Sequence, residues 1–204
     1  MQAKHKKILL PFKWRKELFV NTFDETSLSI GSFEVASREL IVTDPGYRFG
    51  SWFMGALKPV RAGRWNAGIT MVDTGKWGGY VSKLTIWHED APEIGDLRKV
   101  KADFKVGADS GQAGFFDAAH YRKRSSLDAA PAETWSNGKD VWYDRCCEIT
   151  LSRTQAGVLP YGAVSSSGFG DGSYYCYYFT NESGEILRAE IEFITEEELA
   201  AYEN

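Results

Sequence analysis

The segment KVKADFKVGA, residues 99–108, has the alternation of a strand with one buried and one solvated face. Val100, Ala102, Phe104, Val106 and Ala108 alternate with three lysines, an aspartate and a glycine. A period of two places all five apolar side chains on one side of an extended chain. This segment therefore predicts a sheet that packs one face against a core and leaves the other in water.

Several other segments extend the same pattern. EILRAEIEF (185–193) alternates and follows the turn TNESG (180–184), so we expect a hairpin with the aromatic segment before it. WNAGITMVD and GYVSKLTIWHED predict a second hairpin, and ELIVTDPG predicts a strand that ends in a tight turn at Asp44. The predicted fold is mainly β, or β-rich α+β, with antiparallel sheets arranged as in a sandwich.

Two or three short helices complete the prediction. Residues 117–124 would form one that Asp117 caps, and residues 141–153 would form another against a sheet face. Thr195 followed by Glu198 is a capping box, which predicts a helix at the end of the chain.

The aromatic segment Tyr174–Phe179 does not alternate in polarity. We predict a central strand covered on both faces, because each tyrosine would then place its hydroxyl at the edge of a core. The alternative is an exposed aromatic platform for a sugar or a peptide. The covered strand is favoured, since exposed apolar patches of this size are rare on monomers.

Charge is unevenly distributed along the 204 residues. The chain has 24 Lys and Arg and 28 Asp and Glu, but residues 1–16 hold six of the cations and no acid. With 18 cations against 28 acids, the rest carries a net charge of −10. We expect a basic N-terminal leader (1–16), one β-rich domain (17–204) and no nucleic-acid partner, because nucleic-acid binders normally carry a basic surface.

Membrane insertion and disulfide bonding are not expected. No window approaches the roughly 18 apolar residues of a membrane span. Cys146, Cys147 and Cys176 are odd in number and two are adjacent, so they indicate buried thiols in a reducing compartment rather than a disulfide framework or a zinc site. We predict a cytoplasmic protein without a metal or cofactor.

Two segments resemble each other. VGADSGQAGFFDA (106–118) and VSSSGFGDGSYYC (164–176) both run from a valine through Ser-Gly into spaced glycines and aromatics. One explanation is that two strands each need a glycine where they bend. The other is that the two loops lie side by side and form the rim of a shared pocket.

Four acid or base residues around these loops are the candidate catalytic groups: Asp109, Asp117, His120 and Asp171. Converging carboxylates raise one another's pKa and can act as acid and base, and His120 lies three residues from Asp117. Glycine-flanked aspartates, however, most often accept backbone hydrogen bonds in their own turns.

The candidate ligand-binding residues are Ser110, Ser167, Gly170 and Tyr174, which lie in or beside the two loops. The GFGDG loop (168–172) departs from a dinucleotide fingerprint, because Ser173 replaces the third glycine and an aromatic strand follows in place of a helix. We therefore favour a structural turn over a phosphate site.

The motifs ADSGQAGFFDAAHY and SSSGFGDGSYYCYY, with ILRAEIEF near the end, resemble bacterial and phage-associated proteins grouped as domains of unknown function. In general form the motifs are D-S-G-x-x-G-F-F-D and S-G-x-G-D-G-x-Y, and the similarity spans residues 35–193. The resemblance implies a single β-rich domain of bacterial origin and carries no established catalytic residues.

Two functional hypotheses follow. The favoured one is a non-enzymatic cytoplasmic module that binds a protein partner or a small ligand, with an immunity-like or regulatory role, because no constellation has catalytic spacing. The alternative is a small hydrolase or metal-dependent enzyme that uses the four candidate catalytic residues.

Overall fold

The computed structural model describes residues 25–51, 53–74 and 78–202, so the predicted basic leader lies outside the described residues. Within them the chain forms eleven strands and two α-helices. In chain order these are β1 (Glu25–Val35), β2 (Leu40–Thr43), β3 (Gly55–Leu57), β4 (Gly63–Asp73), β5 (Gly79–His88), β6 (Arg98–Ala108), β7 (Gln112–Asp117), α1 (Val141–Thr150), β8 (Ala156–Leu159), β9 (Gly162–Ser166), β10 (Gly172–Thr180), β11 (Ile186–Glu192) and α2 (Glu196–Tyr202).

The strands form two antiparallel sheets that pack as a sandwich. The six-stranded sheet has the order β1-β4-β5-β11-β10-β6, and the five-stranded sheet has the order β3-β2-β7-β9-β8. Both predicted hairpins are present, since β4 pairs with β5 and β10 pairs with β11. The predicted mainly β, sandwich-like fold is confirmed.

The core lies between the sheets. Trp65 and Leu84 of the six-stranded sheet pack in one buried cluster with Leu40, Val42 and Phe115 of the five-stranded sheet. The Trp65 indole N–H donates to the backbone oxygen of Arg61 at 2.9 Å, so its one polar atom is satisfied. Burial of these large side chains supplies the main driving force for packing the two sheets.

A third layer covers the outer face of the five-stranded sheet. Trp142 and Cys146 of α1 pack there against Ile41, Phe116 and Val164. The Asp140 side chain caps α1 by accepting from the Tyr143 amide, and the helix ends at Thr150, three residues before the predicted end. Helix α1 therefore lies on the sheet face that faces away from the core.

The helix predicted at residues 117–124 does not form. β7 runs to Asp117, and turns follow up to a short 3₁₀ helix at Arg124–Ser126. Arg122 has φ 56°, in the left-handed region, which interrupts any right-handed helix at that point. The capping box at the chain end is confirmed, because the Thr195 amide donates to Glu198 Oε2 (2.8 Å) and the Glu198 amide donates to Thr195 Oγ1 (3.2 Å).

The outer face of the aromatic strand is covered only at Phe179, which is buried against Leu97 and Leu187, so the predicted cover on both faces is incomplete. Cys176 is buried in the core, whereas Tyr175 and Tyr177 on the other face are only half-buried. Lysine side chains of β6 lie over these rings: Lys101 Nζ is 3.3 Å from the Tyr175 ring centre and Lys99 Nζ is 4.3 Å from that of Tyr177. Cation–π contacts thus replace a second protein layer.

Within the described part of the chain, neither helix has the length and apolar character needed to cross a membrane.

Candidate functional site

The two Ser-Gly segments are two of the places where the chain crosses between the sheets. One turn carries β6 of the six-stranded sheet into β7 of the five-stranded sheet, and the other carries β9 back into β10. The turns are adjacent, because the Ser167 amide donates to the Gly111 oxygen at 3.0 Å. Gly111, Gly168 and Gly170 have φ values of 67°, 59° and 115°. The glycines therefore make the bends, and the bends lie side by side, but the two loops line different grooves.

Asp44 holds the first crossing turn in place. This carboxylate is 1% exposed and accepts from the Asp109 amide (2.8 Å), the Ser110 amide (2.7 Å) and the Ser110 hydroxyl (2.7 Å). It also accepts from the Gly46 amide within its own turn, which confirms the tight turn predicted there. Asp44 thereby fixes the position of Ser110 just before the start of β7.

An open cleft of about 240 Å³ lies between this turn and α1. Its walls come from the crossing turn, the start of β7, the end of β9, helix α1 and the loop before the helix. The lining residues are Ser110, Gly111, Gln112, Trp135, Tyr143, Cys147, Thr150, Leu151 and Ser166. We refer to this space as the α1 cleft.

Gln112 is the polar centre of the α1 cleft. Its side chain is buried, and its amide oxygen accepts from the Thr150 hydroxyl at 3.0 Å. Its amide nitrogen donates only to weak partners, the Cys147 sulfur at 3.3 Å and the Ser110 hydroxyl at 3.4 Å. The amide oxygen thus has a strong donor, whereas both N–H groups donate to weak acceptors beside the cleft.

The titratable side chains of the α1 cleft are neutral at physiological pH. Burial raises the pKa of the Cys147 thiol, and hydrogen bonds from Gln112 and Tyr143 do not reverse this. Burial, followed by the hydrogen bond with Cys147, raises the pKa of Tyr143 to about 12. The negative charge of Asp44 adds to both shifts. Because the thiolate is disfavoured, Cys147 lacks the electrostatic environment of a nucleophilic cysteine.

Asp117 and His120 lie at the other end of β7. Six residues of extended strand separate them from the Ser110 turn, a distance of roughly 20 Å. The buried Asp117 carboxylate accepts from the amides of Ala36 and Ser37, the Ser37 hydroxyl and the Ala119 amide, and it lies 2.8 Å from His120 Nδ1. The half-buried His120 ring stacks on a tyrosine. Burial alone would raise the pKa of Asp117, but these hydrogen bonds outweigh it and lower the pKa.

The remaining predicted residues belong to the second crossing turn. The Ser167 hydroxyl donates to the Gly170 oxygen at 2.7 Å, and the Tyr174 hydroxyl lies 2.6 Å from the same oxygen. Asp171 is exposed and lines a separate groove of about 230 Å³ together with Tyr174. Asp109 is near Asp171, because Ala108 of β6 pairs with Gly172 of β10 and each aspartate is the adjacent residue in its turn. The four candidate catalytic residues thus form two separate pairs.

One comparison with known proteins bears on the family. A family model described as a protein of unknown function, DUF4241, matches residues 33–191. This chain belongs to the DUF4241 family. The matched region contains both crossing turns, α1 and the α1 cleft, so the site is part of the DUF4241 domain. No curated protein and no solved structure matches the chain.

The sequence alone indicated only Ser110 among the polar residues of the α1 cleft in this DUF4241 chain. Gln112 and Thr150 are 38 residues apart, and Cys147 was interpreted as a buried apolar residue. A weak signal was present: Gln112 is a polar residue at a position where β7 is buried on both faces. Among residues 25–51, 53–74 and 78–202, no group of three His, Cys, Asp or Glu side chains could hold a metal ion.

Proposed function

We propose that this protein is a non-enzymatic binding module whose α1 cleft takes a small uncharged molecule with amide or hydroxyl groups. The observation that carries the proposal is the buried Gln112 amide, whose oxygen is fixed by Thr150 while its nitrogen faces weak acceptors. A carbonyl or hydroxyl oxygen of a ligand would be a stronger acceptor than the Cys147 sulfur.

The electrostatics of the cleft support an uncharged ligand. No Lys or Arg lines the α1 cleft, so an anion would find no opposite charge there. The Asp44 carboxylate lies behind the wall, and its negative charge contributes to the raised pKa values of Tyr143 and Cys147. An anionic ligand would meet the same unfavourable potential.

The rim of the cleft supports a ligand with a flat apolar face. Trp135 is 40% exposed and Leu151 is 69% exposed, so both present apolar surface at the mouth of the cleft. An indole ring at the mouth of a polar cleft suits stacking against a sugar ring or a planar amide. The ligand would thus contact polar groups in the cleft and apolar groups at its entrance.

A bacterial cytoplasmic role, immunity-like or regulatory, completes the proposal. It is supported by the three cysteines, which are all buried free thiols, as expected in a reducing compartment. A binding module of this kind would respond to the level of its ligand by binding it at the loops of the cleft, without converting it chemically.

Alkylation of Cys147 provides a direct test. Cys147 is 5% exposed and lines the cleft, whereas Cys146 and Cys176 are 0% exposed and serve as internal standards. The protein is treated with N-ethylmaleimide in the presence of neutral, cationic and anionic fragments, and labelling is followed by mass spectrometry. We expect neutral amides and sugars to slow labelling of Cys147 while anionic fragments leave its rate unchanged.

Matched variants define the site. Gln112→Met removes the amide at similar volume and should weaken the protection by a neutral fragment about fivefold, the effect of one hydrogen bond to an uncharged group. Tyr143→Phe is a second variant that leaves the buried amide in place, and Ser173→Ala in the separate groove is the control. Equal protection by anions, or full protection in Gln112→Met and Tyr143→Phe, would contradict the proposal.

The alternative function is hydrolysis at Asp117 and His120. One observation favours it: the carboxylate lies 2.8 Å from Nδ1, which is how a buried acid orients an imidazole for use as a general base. A panel of ester and phosphodiester substrates is assayed with the wild type and with His120→Ala. Turnover that disappears in His120→Ala supports the alternative, and turnover that is absent or independent of His120 contradicts it.

A further inference from the structure

A third groove lies on the solvent face of the six-stranded sheet, away from the α1 cleft. It has a volume of about 260 Å³ and crosses β1, β4, β5 and β11. Its lining residues are Ser27, Leu28, Ser29, Gly68, Ile69, Thr70, Thr85, Trp87 and Arg188. We refer to it as the Arg188 groove.

Arg188 is a cation without a carboxylate partner among the described residues. Its guanidinium carbon is 6.0 Å from the Trp87 ring centre and 5.7 Å from that of Phe179, so aromatic rings hold it in place. The neighbouring acid Glu190 pairs instead with Lys99, at 2.6 Å. The Arg188 Nε atom is buried and makes no hydrogen bond.

An unpartnered buried guanidinium nitrogen is costly, and native structures generally satisfy such groups. Guanidinium N–H groups form a planar fork that matches the two oxygens of a carboxylate. The aromatic contacts leave that fork without an acceptor, since an aromatic ring face binds the positive charge but offers no strong hydrogen-bond acceptor. Among the described residues, the Arg188 guanidinium therefore lacks an acceptor for this nitrogen.

The rest of the groove offers an apolar surface and hydroxyl groups. A Cβ at Gly68 would lie 3.1 Å from the Leu28 oxygen and 3.4 Å from the Trp87 ring, so the absence of a side chain opens the floor. Leu28 is 40% exposed beside it, and hydroxyls of Ser29 and Thr70 are on the walls. These features suit a flat apolar body next to the charged group.

We propose that the Arg188 groove binds a small organic acid, with its carboxylate on Arg188 and its apolar body between Trp87 and Leu28. The size of the groove suits a small molecule, since it is slightly below the usual range for drug-sized ligands. This site is independent of the α1 cleft, and it selects an anionic ligand, whereas the α1 cleft would take an uncharged one.

Benzoate and its neutral isostere benzamide are suitable probes. Binding to the intact protein is measured by NMR titration, with the Trp87 indole N–H as the reporter. We expect benzoate to bind about tenfold more tightly than benzamide, which corresponds to replacing a hydrogen bond to a charged acceptor with one to a neutral acceptor. Equal binding of the two probes would overturn the proposal.

Variants at two positions test the residues. Arg188→Met keeps an apolar stem over Trp87 and should abolish the preference for benzoate. Leu28→Asp and Leu28→Asn alter an exposed wall residue, so they do not depend on the tolerance of Arg188 to substitution. Leu28→Asp should weaken benzoate binding more than Leu28→Asn does, because only the former adds a negative charge. Equal effects of the two, or an unchanged preference in Arg188→Met, would refute the assignment.

A third arm separates a free acid from a protein partner. A capped glutamate-containing peptide is titrated under the same conditions. Weaker binding of the peptide than of benzoate supports a small-molecule site. Binding of the peptide without binding of benzoate would overturn the proposal and assign Arg188 to a protein-docking surface.

Discussion

Replacing Asp117 by asparagine tests the most heavily hydrogen-bonded carboxylate described here. The two side chains have nearly the same shape, so the substitution removes the charge and converts one acceptor oxygen into a donor. Asp117 Oδ2 accepts from the Ala36 amide, the Ser37 amide and the Ser37 hydroxyl, at 2.7 to 2.8 Å. Its Oδ1 accepts from the Ala119 amide at 3.0 Å and lies 2.8 Å from His120 Nδ1.

The magnitude follows from these contacts. The best orientation of the asparagine keeps its oxygen at the Oδ2 position and places its NH₂ group opposite the Ala119 amide. One amide then lacks an acceptor, which costs about 1 to 3 kcal/mol, and three hydrogen bonds lose the contribution of the charge. We expect a loss of about 3 kcal/mol at pH 7, which lowers Tm by about 6 to 12 °C for a chain of this size.

The loss should depend on pH. The pKa of Asp117 is lower in the folded protein than in the unfolded chain, where it is about 3.9. A lowered pKa contributes stability that is complete above the unfolded pKa and disappears as the pH falls through the folded pKa. The difference between wild type and Asp117→Asn is therefore constant from about pH 5 to 7 and shrinks below about pH 4.

Urea unfolding followed by tryptophan fluorescence at pH 7, 5 and 3.5 measures this difference. The exposed Asp171→Asn is the control and should change the stability by less than about 0.5 kcal/mol. A loss below 1 kcal/mol for Asp117→Asn at pH 7, or a loss that is the same at pH 3.5, would refute the argument.

Three further predictions concern local structure. Gly168→Ala should cost about 2 kcal/mol in urea unfolding, because the residue has φ 59° and its new Cβ would lie 2.9 Å from a neighbouring isoleucine side chain, whereas Gly95→Ala has open space and should be neutral. Thr195→Ala should cost about 1 kcal/mol in the same assay through loss of the capping box, and Glu198→Gln should cost less since glutamine serves the same role. Burial raises the pKa of the Cys176 thiol, so iodoacetamide should alkylate it at pH 8 only after unfolding, and labelling of the native protein would show that β10 opens.

The fold could be predicted largely because the outer face of the six-stranded sheet is solvated, so that its strands alternate in polarity. β6 keeps its lysines exposed and buries Ala102 and Val106, as its alternation indicates. The wrong predictions for the aromatic strand and for residues 117–124 have the same physical cause. The pattern of a local segment does not show which residues from elsewhere pack against it or how its backbone turns. The tyrosines of β10 are shielded by lysines of a neighbouring strand, and the segment after Asp117 is stopped by a left-handed residue at Arg122.

The α1 cleft could be predicted much less well, because its groups come from four parts of the chain. Ser110 was identified from its turn, but its position depends on Asp44, 66 residues earlier. Gln112 and Cys147 meet only because α1 packs on the outer face of the five-stranded sheet. Periodicity identifies the elements, and the topology that brings them together is a property of the whole chain.

Three buried aspartates share a single arrangement, which accounts for the serine of the first Ser-Gly motif. Each carboxylate accepts hydrogen bonds from both the amide and the hydroxyl of one serine. The pairs are Asp44 with Ser110, Asp117 with Ser37 and Asp144 with Ser136.

In all three cases the residue after the serine has a left-handed conformation, with φ 67° at Gly111, 59° at Arg38 and 56° at Asn137. A left-handed residue reverses the chain at a cost in free energy that is largest for a residue such as Arg38, which has a Cβ and a long side chain. The carboxylate offsets that cost with two charge-assisted hydrogen bonds immediately before the turn. In these three loops a carboxylate fixes the serine that precedes a left-handed residue, and Ser110-Gly111 belongs to the candidate site because Asp44 fixes it beside Gln112.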